Sequence, residues 1–477
     1  MNTSFDILEK QNKKNSLSRV LRYQKTREEF LHIRIPKFII NRNTPLIMKK
    51  ITQLICVLLT VASMNAQQEK GIMGYTNWLN NWTEFKPNKV DYGEANQILA
   101  GNISVNTKLL KRNIYVLQGN VYVTNNAVLT IEPGTVIIGD FETKGTLVIT
   151  KGAQLVADGL ETDPIVFTSN RSMKKAGDWG GIVILGDAPI NKFGNVGSYN
   201  LDLDPTMTTY GGDNVASNSG ILRFVRIEFA GKKVKGADTF NALTLAGLGN
   251  KTILENIMIS YAGGDSFGIL GGDINATKFV SYKSVNDDFK FSQGVQCRFF
   301  NSLAVRSSYF SSTKDGSRCM EVRSYEKKSE TDFTKKQTLV VASNITMVND
   351  SENINADIQA GLVKEAVYVA ENASLEMKRS VISGFNPAVL LDSKTEINDA
   401  NLKKIKFEEM YFNLCKGNIF TEYNSNNEDL ESWYGNSVFF NVYSQSDNKE
   451  TFIDIFNPKK PDFRLQLGKI TASSGNR

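Results

Sequence analysis

Beyond residue 100 the apolar residues come in runs of four or five, separated by Gly, Asn and Asp. No sustained 3.6-residue period appears, so the runs predict short β-strands. They also recur. Val128-Leu129-Thr130-Ile131 aligns with Thr146-Leu147-Val148-Ile149 at an offset of 18 residues. Pro164-Ile165-Val166-Phe167 follows after a further 18, and Gly181-Ile182-Val183-Ile184 after 17. The turn Glu132-Pro133-Gly134-Thr135 falls over Thr150-Lys151-Gly152-Ala153. In the second half the interval lengthens. Asp265-Ser266-Phe267-Gly268-Ile269 returns 22 residues later as Asp287-Asp288-Phe289-Lys290-Phe291, and Ile259-Ser260-Tyr261 returns after 21 as Val280-Ser281-Tyr282. A later coil reads Val367 to Val369, Leu375 to Met377, Val381 to Phe385 and Val389 to Leu391.

A period of roughly 20 residues holding two or three strands predicts a solenoid, in which each coil buries its inner face against its neighbours. The expected fold is all-β: a right-handed parallel β-helix with inward ladders of Val, Ile, Leu and Phe. Sandwiches do not repeat sequence at this interval, and propeller blades repeat at roughly 40 residues. Residues 113–394 are assigned to the β-helix and 395–477 to the last coils and a C-terminal tail. Residues 67–112, with Trp78 and Trp82, are expected to form an N-terminal cap over the open end. The polar, irregular stretches 192–220 and 324–337 are read as loops leaving the coil.

The start of the chain follows another pattern. Met48, Lys49 and Lys50 precede a mostly apolar run from Ile51 to Ser63, and Ala62-Ser63-Met64-Asn65-Ala66 follows. This is the order of a secretory signal peptide, assigned to residues 48–66 with cleavage after Ala66. The run is too short to span a membrane. Residues 1–47 are taken as a misassigned start, with Met48 the true one, or as a disordered leader. Charge supports the division. Residues 1–66 carry twelve Lys and Arg against four Asp and Glu, and the rest of the chain carries 44 against 46. The body is therefore near neutral and shows no nucleic-acid footprint. The lone histidine, His32, lies in the leader, so an exported chain has none. That excludes Ser-His-Asp and Cys-His catalysis and any His-ligated metal.

Several segments together resemble a known family. They are Tyr115 to Gly119, Leu129 to Ile137, Pro164 to Ser169, Gly177-Asp178-Trp179-Gly180-Gly181, Val225 to Gly231 and Leu243 to Gly247, with Lys460-Pro461-Asp462-Phe463 near the end. The sequence is similar to secreted β-helix proteins common in Bacteroidetes-type bacteria, a family without a settled activity. The resemblance implies export, to the outer-membrane surface, the medium or the periplasm. Some members carry a multidrug-transporter label. Outside the signal, no stretch here is long and apolar enough to span a membrane.

Candidate chemistry is sparse. Asp265 and Asp287 occupy equivalent places on successive coils, with Asp288 alongside. Coils stack about 4.8 Å apart, so like charges there need compensation. A Ca²⁺ ion held by Asp265, Asp287 and Asp288 would provide it. Similar polysaccharide lyases place acidic residues on Ca²⁺ and use Arg or Lys as the base, which brings Lys290, Arg298 and Arg306 into consideration. The alternative is that these Asp residues hold local backbone N–H groups at turns. Trp179 is a candidate sugar-stacking ligand site or, alternatively, the cover of a tight turn. Cys297 and Cys319 lie 22 residues apart, as a disulfide between coils or as packed thiols. Three functions fit: a non-catalytic binder of a glycan or protein partner, a Ca²⁺-dependent polysaccharide lyase or other glycan-active enzyme, and an accessory partner of an outer-membrane uptake receptor.

Overall fold

A strand buries alternate side chains, so a chain of short strands joined by sharp corners can wind about its own inward rows. The computed structural model, which describes residues 70–234, 239–311, 316–421 and 427–466, shows this arrangement. Its strands join in one parallel sheet that closes round an axis, with three faces per coil. Face A runs from Thr146–Ile149 through Gly181–Leu185, Leu243–Leu248, Phe289–Ser292 and Met320–Val322 to Val389–Leu391. Face B runs from Val128–Ile131 through Gln154–Asp158, Gln296–Phe300 and Leu339–Ser343 to Ile405–Glu408. Face C runs from Gln97–Ile103 through Ile165–Ser169, Leu303–Arg306 and Thr346–Asn349 to Val442–Ser444. The inward rows of all three merge into one continuous core.

The corner between faces B and C has a local cause. Coil after coil turns there on a residue in the left-handed region: Phe224, Asn256, Lys278, Asn301, Asn344, Arg379 and Glu409. Asn adopts that conformation more readily than most residues, and three of these seven are Asn.

Coil length varies more than the repeats predicted. The 22-residue step from Phe267 to Phe289 is correct, and so is the coil from Val367 to Val389. The 18-residue alignment is not: Thr146 stacks on Asn120 of face A, whereas Val128 lies on face B and pairs with Gln154, 26 residues on. That offset compared strands on different faces of the prism. The 21-residue offset slips by one. Val280 pairs with Met258, and Ile259 pairs with Ser281. A one-residue slip exchanges inward and outward rows: Ile259 lies in the axial core, Val280 outside it.

The faces are treated differently. Face A is partly roofed by the loop after Leu185. Tyr199, Leu203 and Tyr210 of that loop pack on Val148, Val183, Ala246 and Leu270. Face C is sealed by residues 70–96, which were expected to cap the first coil. Lys70 donates to the carbonyls of Met410 and Phe440 (3.2 and 3.1 Å), and Ile72 N donates to Thr346 Oγ1. Further along the same segment, Tyr92 donates to Glu228, and Asn96 N donates to Ile114 O. The segment is therefore a strap running along the flank from late coils to early ones. Its residues Ile72, Leu79, Trp82 and Phe85 cover the outward row Met258, Val280, Leu303, Val348 and Val381. The C-terminal hairpin of Phe452–Asp454 and Asp462–Leu465 shares that cluster. The first rung, Gln97–Ile103, is largely exposed. At the other end the helix Asn427–Tyr434 places Leu430 and Tyr434 in the core. Face B has no cover among the described residues. Its burial alternates residue by residue, as in Gln296–Phe300 and Leu339–Ser343.

Candidate functional site

The column predicted from Asp265 and Asp287 exists, at the edge of face A. Register places Phe267 over Phe289 over Met320, so Asp265, Asp287 and Arg318 align two residues earlier. Asp265 accepts hydrogen bonds from the Asn286 amide and from Asp287 N (3.1 Å). Asp287 Oδ1 in turn accepts from Arg318 N at 2.9 Å. Each carboxylate thus holds the backbone of the next coil's corner, the turn role open to Asp.

Asp288 does not join them. Neighbouring residues of an extended segment point to opposite sides. Its Oδ1 accepts from Ser281 and Ser284 (2.5 and 2.7 Å), and its Oδ2 meets Arg306 at 3.2 Å. Both ions of that pair are buried, at 0% and 4% side-chain exposure. The Ca²⁺ site expected from Asp265, Asp287 and Asp288 is therefore not formed. Among the described residues no three Asp, Glu, Cys or His side chains are arranged to hold a metal ion. Arginine and lysine supply the compensating positive charge instead.

That compensation includes groups the sequence pattern missed. One coil beyond Lys290 stands Glu321, and one beyond that Tyr368. Glu321 is paired with Arg323 and, at 3.3 Å, with Arg318. Arg318 also holds Glu365 at 2.5 Å and lies 4.4 Å over the Tyr368 ring. The Asp287 carboxyl lies against Glu321, and Asp287 Oδ2 is buried with no nitrogen or hydroxyl donor among the described residues. A proton on Asp287 would give its Oδ2 a partner in the adjoining Glu321 carboxyl. The electrostatics favour that assignment. Burial, then the charges of Glu321 and Asp265, push Asp287 well above the ordinary carboxyl range. Burial also opposes the charge on Glu321, but Lys290, the Asp287 hydrogen bond and the two arginines pull it down to about 2. Burial opposes the charge on Lys290 as well, yet Asp265 and Glu321 hold it above the usual lysine range. Two adjoining carboxyls are thus pushed in opposite directions, walled in by cations.

The three basic candidates are scattered. Lys290 belongs to this cluster, Arg306 is spent on Asp288, and Arg298 lies on face B with Asp273 and Asn275. Trp179 is not a ligand platform. It is fully buried in the axial core, stacks on Phe167 at 6.4 Å, and donates its indole N–H to Glu228 O at 2.8 Å. Its ring fills the place a side chain on Gly139 would need, within 2.4 Å of a Cβ there. Cys297 and Cys319 are free and buried, so of the two readings they are packed thiols and not a bridge between coils. Cys297 stacks between Ile274 and Val340, whereas Cys319 precedes a strand on face A, and burial raises both thiols.

The chain matches the family model described as a pectate-lyase like beta helix domain over residues 101–451, which is 351 of 477 residues. No curated protein matches it. The matched span covers the faces, corners and carboxyl column described above, and the chain belongs to the pectate-lyase-like β-helix domain family.

Proposed function

We propose that this chain is an exported, right-handed β-helix that binds a glycan without cleaving it. One observation carries the non-catalytic part. Asp265, Asp287, Asp288 and Glu321 are each at most 5% exposed, and each is engaged by a corner amide, an arginine or another carboxyl. A general acid or base must reach the proton it transfers in a bound substrate. The two carboxyls of a glycosidase also stand about 5 Å or more apart, leaving room for the sugar, whereas Asp287 and Glu321 lie directly against each other. Export rests on Lys49, Lys50, the Ile51 to Ser63 run and the small residues through Ala66. Among the described residues no helix is long and apolar enough to cross a membrane.

A second reading is favoured by the opposite shifts of Asp287 and Glu321 beside Lys290, a pattern shared with acid–base pairs: a glycan-active enzyme, hydrolase or lyase. The test is an assay of the chain from Gln67 on neutral and acidic polysaccharides, with Ca²⁺ and with chelator. It reads unsaturated products, new reducing ends and retention. Retention without cleavage is expected. Cleavage lost in Glu321→Gln would establish the enzyme reading instead. Neither cleavage nor retention would shift the function to a protein partner, such as an outer-membrane uptake receptor.

A further inference from the structure

Parallel sheets are ordinarily covered on both sides. Face C has its strap and face A its loop, but among the described residues nothing covers face B. Eight rungs from Gln154–Asp158 to Ile405–Glu408 form a flat strip on the order of 35 Å long at about 4.8 Å per rung. Its outward charges are paired from rung to rung. Arg223 bridges Asp158 and Glu255, Arg298 meets Asp273, Lys378 meets Glu408, and Lys406 meets Glu376. These four cations face five carboxylates, so the strip is close to neutral and has no positive surplus to attract a polyanion.

Between these pairs lie exposed apolar groups. Phe300 is 37% exposed and Val341 41%, on neighbouring rungs but two residues apart in register, Val341 standing over Arg298. The corner beside Phe300 is Asn301, which exchanges hydrogen bonds with the Met73 backbone at 2.9 and 3.0 Å. Two residues further along the strap stands Tyr75, fully exposed. One exposed ring, Phe300, thus borders the face C edge of a nearly neutral strip, and a second, Tyr75, stands on the strap two residues from its contact with that corner.

We propose that face B is a binding surface for an extended, uncharged polysaccharide that lies along the stack, with Phe300 and Tyr75 as its stacking platforms. The proposal rests on the glycan-binding reading and names the ligand class and the surface. A pyranose ring has an apolar face for an aromatic ring and equatorial hydroxyls for the paired Arg, Lys, Asp and Glu side chains.

Native gels cast with hydroxyethylcellulose, galactomannan or polygalacturonate test it, using the chain from Gln67. Retardation is expected in a neutral-glycan gel and not in polygalacturonate, and it should survive high salt. Phe300→Ala and Tyr75→Ala should each weaken retention about tenfold, with unchanged thermal midpoints. Both positions are exposed, so a folding defect does not confuse the result. Retention unaffected by either substitution but lost in Lys290→Ala would move the site to face A and leave glycan binding intact. Salt-sensitive retention in polygalacturonate would overturn the uncharged ligand. Retention in no gel would overturn the surface and the glycan reading together. Dimers that dissociate in Phe300→Ala would make a second copy of the chain the occupant.

Discussion

Removing Arg306 should destabilise the stack, by an amount that depends on pH. Its guanidinium is 4% exposed and Asp288 is 0% exposed. Besides Asp288, Arg306 donates to the carbonyls of Asn286 (2.8 Å) and Ser284 (3.2 Å), so it ties one corner to the next coil. In Arg306→Ala the Asp288 carboxylate keeps only its two serine donors. Losing one member of a buried pair costs about 3–5 kcal/mol. Asp288 has one escape, which is to bind a proton. Burial already holds its pKa above the ordinary carboxyl range, and without the arginine it rises further. The sign follows. A carboxyl raised in the fold binds extra protons there, so its contribution favours the fold at low pH and is lost as pH rises through the folded value. The variant should therefore lose most stability near pH 8 and clearly less near pH 5. Urea unfolding followed by intrinsic fluorescence at both pH values measures this. Asp288→Asn with Arg306→Met, which removes both charges, should recover most of the loss. A loss below about 1 kcal/mol at pH 8, or one independent of pH, would refute the view that Arg306 neutralises Asp288.

Other outcomes follow from the same structure. Asp287→Asn offers Glu321 an amide N–H in place of the Asp287 proton. The raised Asp287 favours the fold below its ordinary 3.8 and less as pH climbs, so the variant should gain stability near pH 8. Glu321, held near 2, contributes above its ordinary 4.5 and should keep that contribution in the variant until strong acid. Trp179→Ala should cost about 3–5 kcal/mol of stability and leave glycan retention of the folded fraction unchanged, as native gels would show. The chain from Gln67 should titrate three thiols, Cys297, Cys319 and Cys415, only after denaturation, and reductant should leave its unfolding midpoint unmoved.

The coil was legible where one turn followed the last without an inserted loop. Phe267 and Phe289 announced it because no insertion separates them, and Asp265 over Asp287 came with that register. Glu321 escaped because the next coil is longer: Lys290 pairs with it 31 residues on, past the segment that follows Arg306. Trp179 stayed open between a sugar platform and a turn cover because a sequence shows that a tryptophan borders a glycine turn but not which way the ring faces. Asp288 was grouped with Asp287 by adjacency, although alternation along an extended segment puts them on opposite sides. The strap had no local signal. Trp82 and Phe85 look like any apolar pair until the row of Met258, Val280 and Leu303 that they cover has been assembled.

That strap also changes what kind of object the stack is. In a simple solenoid each coil touches only its neighbours, and a truncated array is a shorter version of the whole. Here Ile72 reaches a hydrogen-bond partner 274 residues later, and Lys70 one 340 residues later. A chain made from its N-terminus completes the strap first and its landing places last. Trp82 and Phe85 can dock once the coils carrying Phe224 and Tyr282 have wound, but Lys70 and Ile72 must wait for the late coils. A product broken off before Thr346 can seat the middle of the strap but leaves Lys70 and Ile72 without their partners. Seating the start of the strap is in effect a test of completeness, carried out by the first segment made on the last coils to form.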